Sequence, residues 1–335
     1  MLLWWLVVNI IYVGNIWKGY GGTEETVRYL LREMAARGHT CHVVHWRMNI
    51  SRTNTRDEHE SGIRTHYVDD ERAACDTAMR LARPSDSVIY TALFNRPELW
   101  SMAKKNNIRV VHEYNMPREN LIDANNVTFV FNSYYTKSWY PHIEGVVIHP
   151  VIDFSNFNIR RTLTDEIRIG LVNPCRVKGS GILKKLCSRN PDYKFITAGG
   201  WAHATKHKNR RLSAPATDNH KYMGHLKNMS DFYNNIDILL FPTQDGHDES
   251  FGRVVIEAMY HCCCVIASHK DGIPEAVSDG GILVGDYENE RAWSEAIKTV
   301  LRYKDAYSDM AFNRSTEYVK EVGESMDLWE SIFGG

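Results

Sequence analysis

The sequence predicts an α/β protein built as two successive parallel-sheet halves, and three observations carry that reading. Apolar, strand-like runs alternate with helical stretches from the start, the pattern of a parallel sheet flanked by helices. The alternation breaks at the polar segment 153–164 and restarts at Ile167. A chain of 335 residues also has room for two domains of ordinary size, each with its own core. The predicted division is 1–155, 165–312 and a closing helix over 313–335.

In the first half, an apolar strand over 3–12 leads into the glycine-bearing loop GNIWKGYGGTEE. A helix over 24–37 follows, with Val27, Leu30, Leu31, Met34 and Ala35 at helical spacing, and Gly38 ends it. Gly21 and Gly22 stand at the helix start, where a missing side chain lets backbone approach a ligand closely. Residues 41–46 read as the second strand and the polar stretch 48–60 as a loop. Further strands are predicted over 86–93, 108–112, 127–131 and 146–152. His112 falls at the carboxyl edge of its strand, where open α/β sheets bind ligands; a loop histidine capping the strand has the same pattern. The apolar N-terminus lacks a basic leader and a cleavage site and is too short to span a bilayer, so a buried first strand is expected and no transmembrane segment.

In the second half, a strand over 167–172 runs into Asn173-Pro174-Cys175-Arg176-Val177-Lys178-Gly179 and a helix near 182–186. Strands over 193–198 and near Tyr222 follow, and then one over 236–241 enters a polar loop ending in Glu249. The next helix carries Glu257 among Val254, Val255, Ile256, Ala258 and Met259, which predicts a helix buried all round. A carboxylate there needs partners, and hydroxyl groups of a ligand would serve. Ser250, Phe251, Gly252 and Arg253 open that helix, and a helix N-terminus with glycine at its mouth favours an anion such as phosphate. Two carboxylates for hydroxyls with an anion site between them suit a nucleotide-sugar. Lys178 and Arg176 supply the cations that a departing diphosphate needs, although an exposed basic turn also fits them. The tail over 307–333 reads as a helix with Tyr318, Val319, Val322, Met326, Leu328 and Trp329 as its apolar candidates.

Composition narrows the classes. Net charge is −1 with both signs mixed, so nothing in the balance points to nucleic acid, a membrane or an acidic substrate. The densest basic run, KHKNRR over 206–211, reads as a solvated loop; together with Arg47, Arg52 and Arg56 it is where a polyanionic acceptor would bind. The seven cysteines are odd in number and lack zinc-finger spacing. Cys262, Cys263 and Cys264 are expected to be reduced, buried small hydrophobes in a cytoplasmic protein, with His261 too little to make a metal site.

The segment Glu249-Ser-Phe-Gly, then Glu257, Ala-Met and VIAS, resembles the paired-glutamate motif of retaining GT-B glycosyltransferases, family 4-like. The segment GGTEETVRYLLREMAARGHTCHVV is similar to the opening of the same family, and the resemblance runs from Gly21 to Glu275. It implies two Rossmann-like domains facing a central cleft, the first for the acceptor and the second for the donor, with the C-terminal helix crossing back. It implies a hexosyl- or pentosyltransferase using a UDP- or GDP-sugar, with no metal or other cofactor. Glu249 would hold the donor sugar, Glu257 the ribose, Lys178 and Arg176 the diphosphate assisted by glycine amides, and His112 the reacting sugar. Two departures stand out: the family spaces its arginine further from the Lys-Gly pair, and it has glycine and proline where this chain has Cys262 and Cys264. A glycan, lipid, metabolite or hydroxymethylated DNA base all remain as acceptors. A sugar-nucleotide epimerase and a non-catalytic sugar-nucleotide sensor fit the same residues.

Overall fold

The computed structural model describes residues 7–14, 21–46, 58–93, 95–115, 125–160, 166–200 and 212–334. The basic run 206–211, Arg47, Arg52, Arg56 and most of the N-terminal glycine loop lie outside them. The chain forms two compact units, Met1–Ile152 with Val322–Gly335, and Asp153–Glu321.

The first unit contains β1 (Asn9–Gly14), α1 (Gly22–Ala36), β2 (Thr40–Trp46), β3 (Glu58–Glu60) and β4 (Ile63–Val68). It continues with α2 (Glu71–Leu81), β5 (Ser87–Ala92), α3 (Pro97–Lys105), β6 (Arg109–Tyr114), β7 (Val127–Phe131), α4 (Tyr134–Ser138) and β8 (Gly145–Val147). Its sheet has the order β3-β4-β2-β1-β5-β6-β7-β8, parallel throughout except for the β3–β4 pair. Both faces are covered, so β1, β2 and β5 are almost continuously buried and read as unbroken apolar runs. Residues 148–152 do not extend the last strand, which is shorter than the sequence suggests.

The second unit contains β9 (Arg168–Val172), a 3-10 turn (Arg176–Lys178), α5 (Ser180–Arg189), β10 (Lys194–Ala198), β11 (His220–Tyr222) and α6 (Ser230–Tyr233). Then come β12 (Ile238–Phe241), α7 (Arg253–Tyr260), β13 (Cys264–Ser268), α8 (Ile273–Val277), β14 (Gly281–Val284), α9 (Glu290–Arg302) and α10 (Lys304–Gly334). The sheet is parallel, in the order β11-β10-β9-β12-β13-β14. The chain winds outward from β9 to β11, then returns to place β12 on the other side of β9. Strand order therefore reverses between β9 and β12, the kind of switch point beside which open α/β sheets bind ligands. Two such units of parallel sheet and interleaved helix are the GT-B fold.

Helix α10 buries Ala311 and Tyr318, then Val322, Met326, Trp329 and Phe333, a stripe at helical period. Val319 and Leu328, expected among the apolar contacts, are 38% and 41% exposed because they fall off that stripe. From Val322 onward the helix belongs to the first unit. There Trp329 and Phe333 pack edge-on against Tyr90, and Arg37 pairs with Asp327 at 2.8 Å. Arg109 donates to the carbonyl of Phe333, satisfying an acceptor that every helix end leaves open.

Candidate active site

The candidate site lies at the carboxyl edge of the second sheet, on the loops that follow β9, β12 and β13. After β9 the backbone turns sharply: Asn173 is left-handed at φ 61° and Gly179 at φ 82°. A Cβ on Gly179 would lie 2.3 Å from the carbonyl oxygen of Pro242, so only glycine lets this turn touch the loop that follows β12. The Gln244 amide donates to the Val177 carbonyl at 2.9 Å and ties the two loops together. This close approach carries Lys178, 8% exposed, under the β12–α7 loop.

Lys178 Nζ pairs with Glu249 Oε2 and lies 5.2 Å from the centre of the Phe241 ring. His247 Nε2 is 3.8 Å from the same carboxylate oxygen. The structure thus joins two residues 71 positions apart in one partly buried ion pair. Arg176 is exposed on the same 3-10 turn. With three residues per turn, positions 176 and 178 point along different faces, so the turn does not set the two cations side by side.

Glu257 sits eight residues beyond Glu249 on α7, and the expectation of a helix without a wet face needs correcting. Val255, Ile256, Ala258 and Met259 are buried, but Arg253, Glu257 and Tyr260 form a half-buried face at helical spacing. Glu257 accepts a hydrogen bond from Tyr233 Oη at 2.8 Å and pairs with Arg253 at 3.4 Å. Burial, and then the Glu257 charge, hold the Tyr233 phenol well above its ordinary pKa, so it stays a donor. Gly252 caps α7 at φ 108°, a left-handed conformation. Phe251 is 1% exposed and packs on Tyr318, so its ring belongs to the core. Ser250 beside it is half-buried.

Three neighbours were not evident in the sequence. Tyr233, at the end of α6, had no signal beyond an aromatic residue in a polar stretch. Lys270 and Asp271, in the turn after β13, reach back to the β12–α7 loop. The one pointer to them was the Asp-Gly pair, which marks a tight turn. Cys262 is left-handed at φ 57°, so the turn keeps the conformation a glycine would adopt although the residue is cysteine. All seven cysteines are free thiols, and among the described residues no cluster of three or more His, Cys, Asp or Glu is placed to hold a metal ion.

In the first unit, Gly21 is the extended N-cap of α1 at φ −118°, and Gly22 is its first, exposed residue. Glycine is not required there for a positive φ. Instead the space a Cβ would take at Gly21 is filled by the Glu24 carboxylate, 2.2 Å from that position. His112 requires a correction. It lies inside β6, paired with Thr91 and Phe129, and the strand continues to Tyr114. The ring is 0% exposed, accepts or donates one hydrogen bond at Nδ1 with Thr91 Oγ1 (2.8 Å), and packs on Trp100 with centroids 5.1 Å apart. Burial, helped by the Arg96 charge, lowers its pKa to about 3, so it is a neutral core side chain at physiological pH. In this position the ring is enclosed in the core of the first unit, with Nε2 making no hydrogen bond among the described residues.

Residues 180–315 match the family described as glycosyl transferases group 1. An uncharacterized 42.6 kDa protein from the cps region of Klebsiella pneumoniae is 22% identical, covering 80% of this chain and 87% of that protein. Among solved structures, sucrose-phosphate synthase from Thermosynechococcus elongatus superposes with a TM-score of 0.78 at 16% identity, covering 97% of this chain and 99% of that one. Anabaena HepE in complex with UDP and glucose gives 0.72 at 14% identity, with the same coverage of the two chains. No described helix is long and apolar enough to cross a membrane. A glycosyl transferases group 1 domain within a complete GT-B fold supports a GT-B glycosyltransferase.

Proposed function

We propose that the protein is a retaining glycosyltransferase that moves a sugar from a nucleoside-diphosphate sugar to an acceptor hydroxyl. The observation that carries this reading is the partly buried Lys178–Glu249 pair at the point where strand order reverses in the second unit. A cation and a carboxylate held together can serve the two ends of one bond. Lys178 neutralises charge as it develops on the departing diphosphate, and Glu249 accepts hydrogen bonds from the sugar hydroxyls. Backbone amides of Ser250, Phe251 and Gly252 at the opening of α7 favour the phosphates, and Glu257, oriented by Tyr233, accepts from the ribose hydroxyls. Gly21 and Gly22 remain proposed as an amide source for an anion at the start of α1. The role for a cation rests on Lys178 rather than on the exposed Arg176.

Retention follows if the acceptor hydroxyl attacks the face from which the diphosphate leaves, a phosphate oxygen taking its proton. HepE was solved with UDP and with UDP-glucose, which supports a uridine donor as the first to try. The test is a screen of UDP- and GDP-sugars for donor hydrolysis, followed by glycan, lipid, metabolite and hydroxymethylated-DNA acceptors, with the product anomer read by NMR. An α-configured product from an α-configured donor supports the reading, and an inverted product overturns retention. Glu249→Ala should abolish transfer while the fold survives; full activity in that variant would remove its assigned role.

A further inference from the structure

We infer that Asp271 is the positioning residue that holds Glu249 in its working orientation. The inference rests on the role proposed for Glu249 and adds a residue that the paired-glutamate pattern does not contain. The turn after β13 grips the β12–α7 loop at several points. Asp271 Oδ2 accepts from the Glu249 backbone N–H at 3.1 Å, and the Gly272 N–H donates to the Glu249 carbonyl at 2.9 Å. Both peptide groups flanking the Glu249 Cα are therefore held by consecutive residues of one turn. Lys270 Nζ donates to the carbonyls of Gln244 and His247, each at 3.2 Å, and pairs with Asp271 at 3.3 Å. The loop is fixed on both sides of the residues that lead to Glu249.

Two features of the backbone show that this grip is specific to these side chains. Asp271 is left-handed at φ 55°, where glycine would be unstrained, so an aspartate there is maintained against a conformational cost. Its carboxylate supplies what glycine lacks, an acceptor for the Glu249 amide. At the next position, a Cβ on Gly272 would lie 2.0 Å from the Ser250 carbonyl oxygen, so any side chain there displaces the loop. The pair Asp-Gly thus combines an acceptor with a close approach, and either one altered alone should release Glu249.

The test compares Asp271→Gly, Asp271→Asn and Gly272→Ala. Asp271→Gly keeps the backbone conformation and deletes the acceptor; Asp271→Asn keeps an acceptor and tolerates the left-handed backbone. Amide hydrogen exchange at Glu249 should be about tenfold faster or more in Asp271→Gly and in Gly272→Ala, and within about threefold of wild type in Asp271→Asn. Affinity for UDP, whose phosphates meet Lys178 and not Glu249, should be no weaker than wild type in Asp271→Gly, while the additional affinity for UDP-glucose over UDP collapses and kcat for transfer falls. A general loss of fold would weaken both ligands alike. Unchanged Glu249 exchange in Asp271→Gly, or equal damage in Asp271→Asn, overturns the inference. Failure of the wild-type protein to bind any nucleotide-sugar counts against the proposed function, and the exchange measurement still decides whether Asp271 holds Glu249.

Discussion

Replacing His112 with Phe separates a core histidine from a reacting one. In the folded chain the imidazole titrates at about 3, against an ordinary value near 6.5, because burial with Arg96 nearby disfavours the cation. Between those values the unfolded chain binds a proton that the folded chain refuses. Stability contributed by the neutral ring is therefore complete above pH 6.5, lost progressively as pH falls, and constant again below about 3. At pH 4.5 the loss relative to neutral pH is about two pKa units, or about 2.7 kcal/mol at 1.36 kcal/mol per unit. Phe fills a similar volume against Trp100 and Phe129 and carries no titrating group.

The assay is urea unfolding of wild type and His112→Phe at half-unit steps from pH 7.5 to 4.5. The difference between the two proteins isolates this ring, because His42, lowered to about 4 by burial beside His66, titrates identically in both. The variant should start about 1 kcal/mol less stable, from the lost Thr91 hydrogen bond, and overtake wild type near pH 5.8 (about 0.7 unit below 6.5, at 1.36 kcal/mol per unit). A difference that stays flat across this range refutes the reasoning. So does a variant that is as stable as wild type yet inactive in transfer, since that would make the histidine part of the chemistry.

Other predictions follow from the site itself. Lys178→Ala should weaken UDP binding by about 10- to 100-fold by calorimetry, since a hydrogen bond to a charged group contributes about 1.5–3 kcal/mol. Glu249→Gln should lower transfer sharply yet bind UDP at least as tightly as wild type, because the carboxylate that pairs with Lys178 in the free protein no longer competes with phosphate; weaker UDP binding would contradict this. Tyr233→Phe should raise the donor KM several-fold with little change in kcat, the orienting bond to Glu257 being lost. Cys262→Gly should stabilise the protein by up to about 1 kcal/mol, the relief of a left-handed side chain less the added entropy of glycine, read as a rise of about 2–4 °C in Tm.

The sheets were legible because both faces of a parallel sheet are covered, so their strands stand out as apolar runs. Residues 127–131 and 41–46 lie within a residue of the observed strands for this reason. Among the elements the pattern did not mark were β3, inside the stretch read as a loop, the half-buried strands β4 and β14, and the helices α2, α3 and α9, the last with its buried Trp293, Ile297 and Val300 diluted by charged neighbours. The end of β6 was placed two residues early because His112 and Glu113 look like the start of a polar loop. In the structure each has a buried partner, Thr91 for the histidine and Tyr90 for the glutamate, and the strand runs on through them. A buried polar side chain with a cross-strand partner carries no sequence signal that separates it from an exposed one.

The same limit explains which residues of the candidate site could be read. Lys178 and Glu249 could be read because each stands near a glycine whose need is local: Gly179, next to Lys178, must adopt a left-handed turn against Pro242, and Gly252, three residues after Glu249, must open α7. Their meeting could not be read locally, for it depends on β12 returning to the far side of β9 and not continuing outward past β11. Had the strands followed in simple succession, β10 and β11 would separate the two loops and Lys178 would have no carboxylate beside it. Asp271 is further removed, because its function is to hold a backbone amide and any short acceptor at a left-handed position would look alike in sequence. Residues that touch a ligand leave a pattern of types and spacings; residues that hold those residues leave one only through the fold.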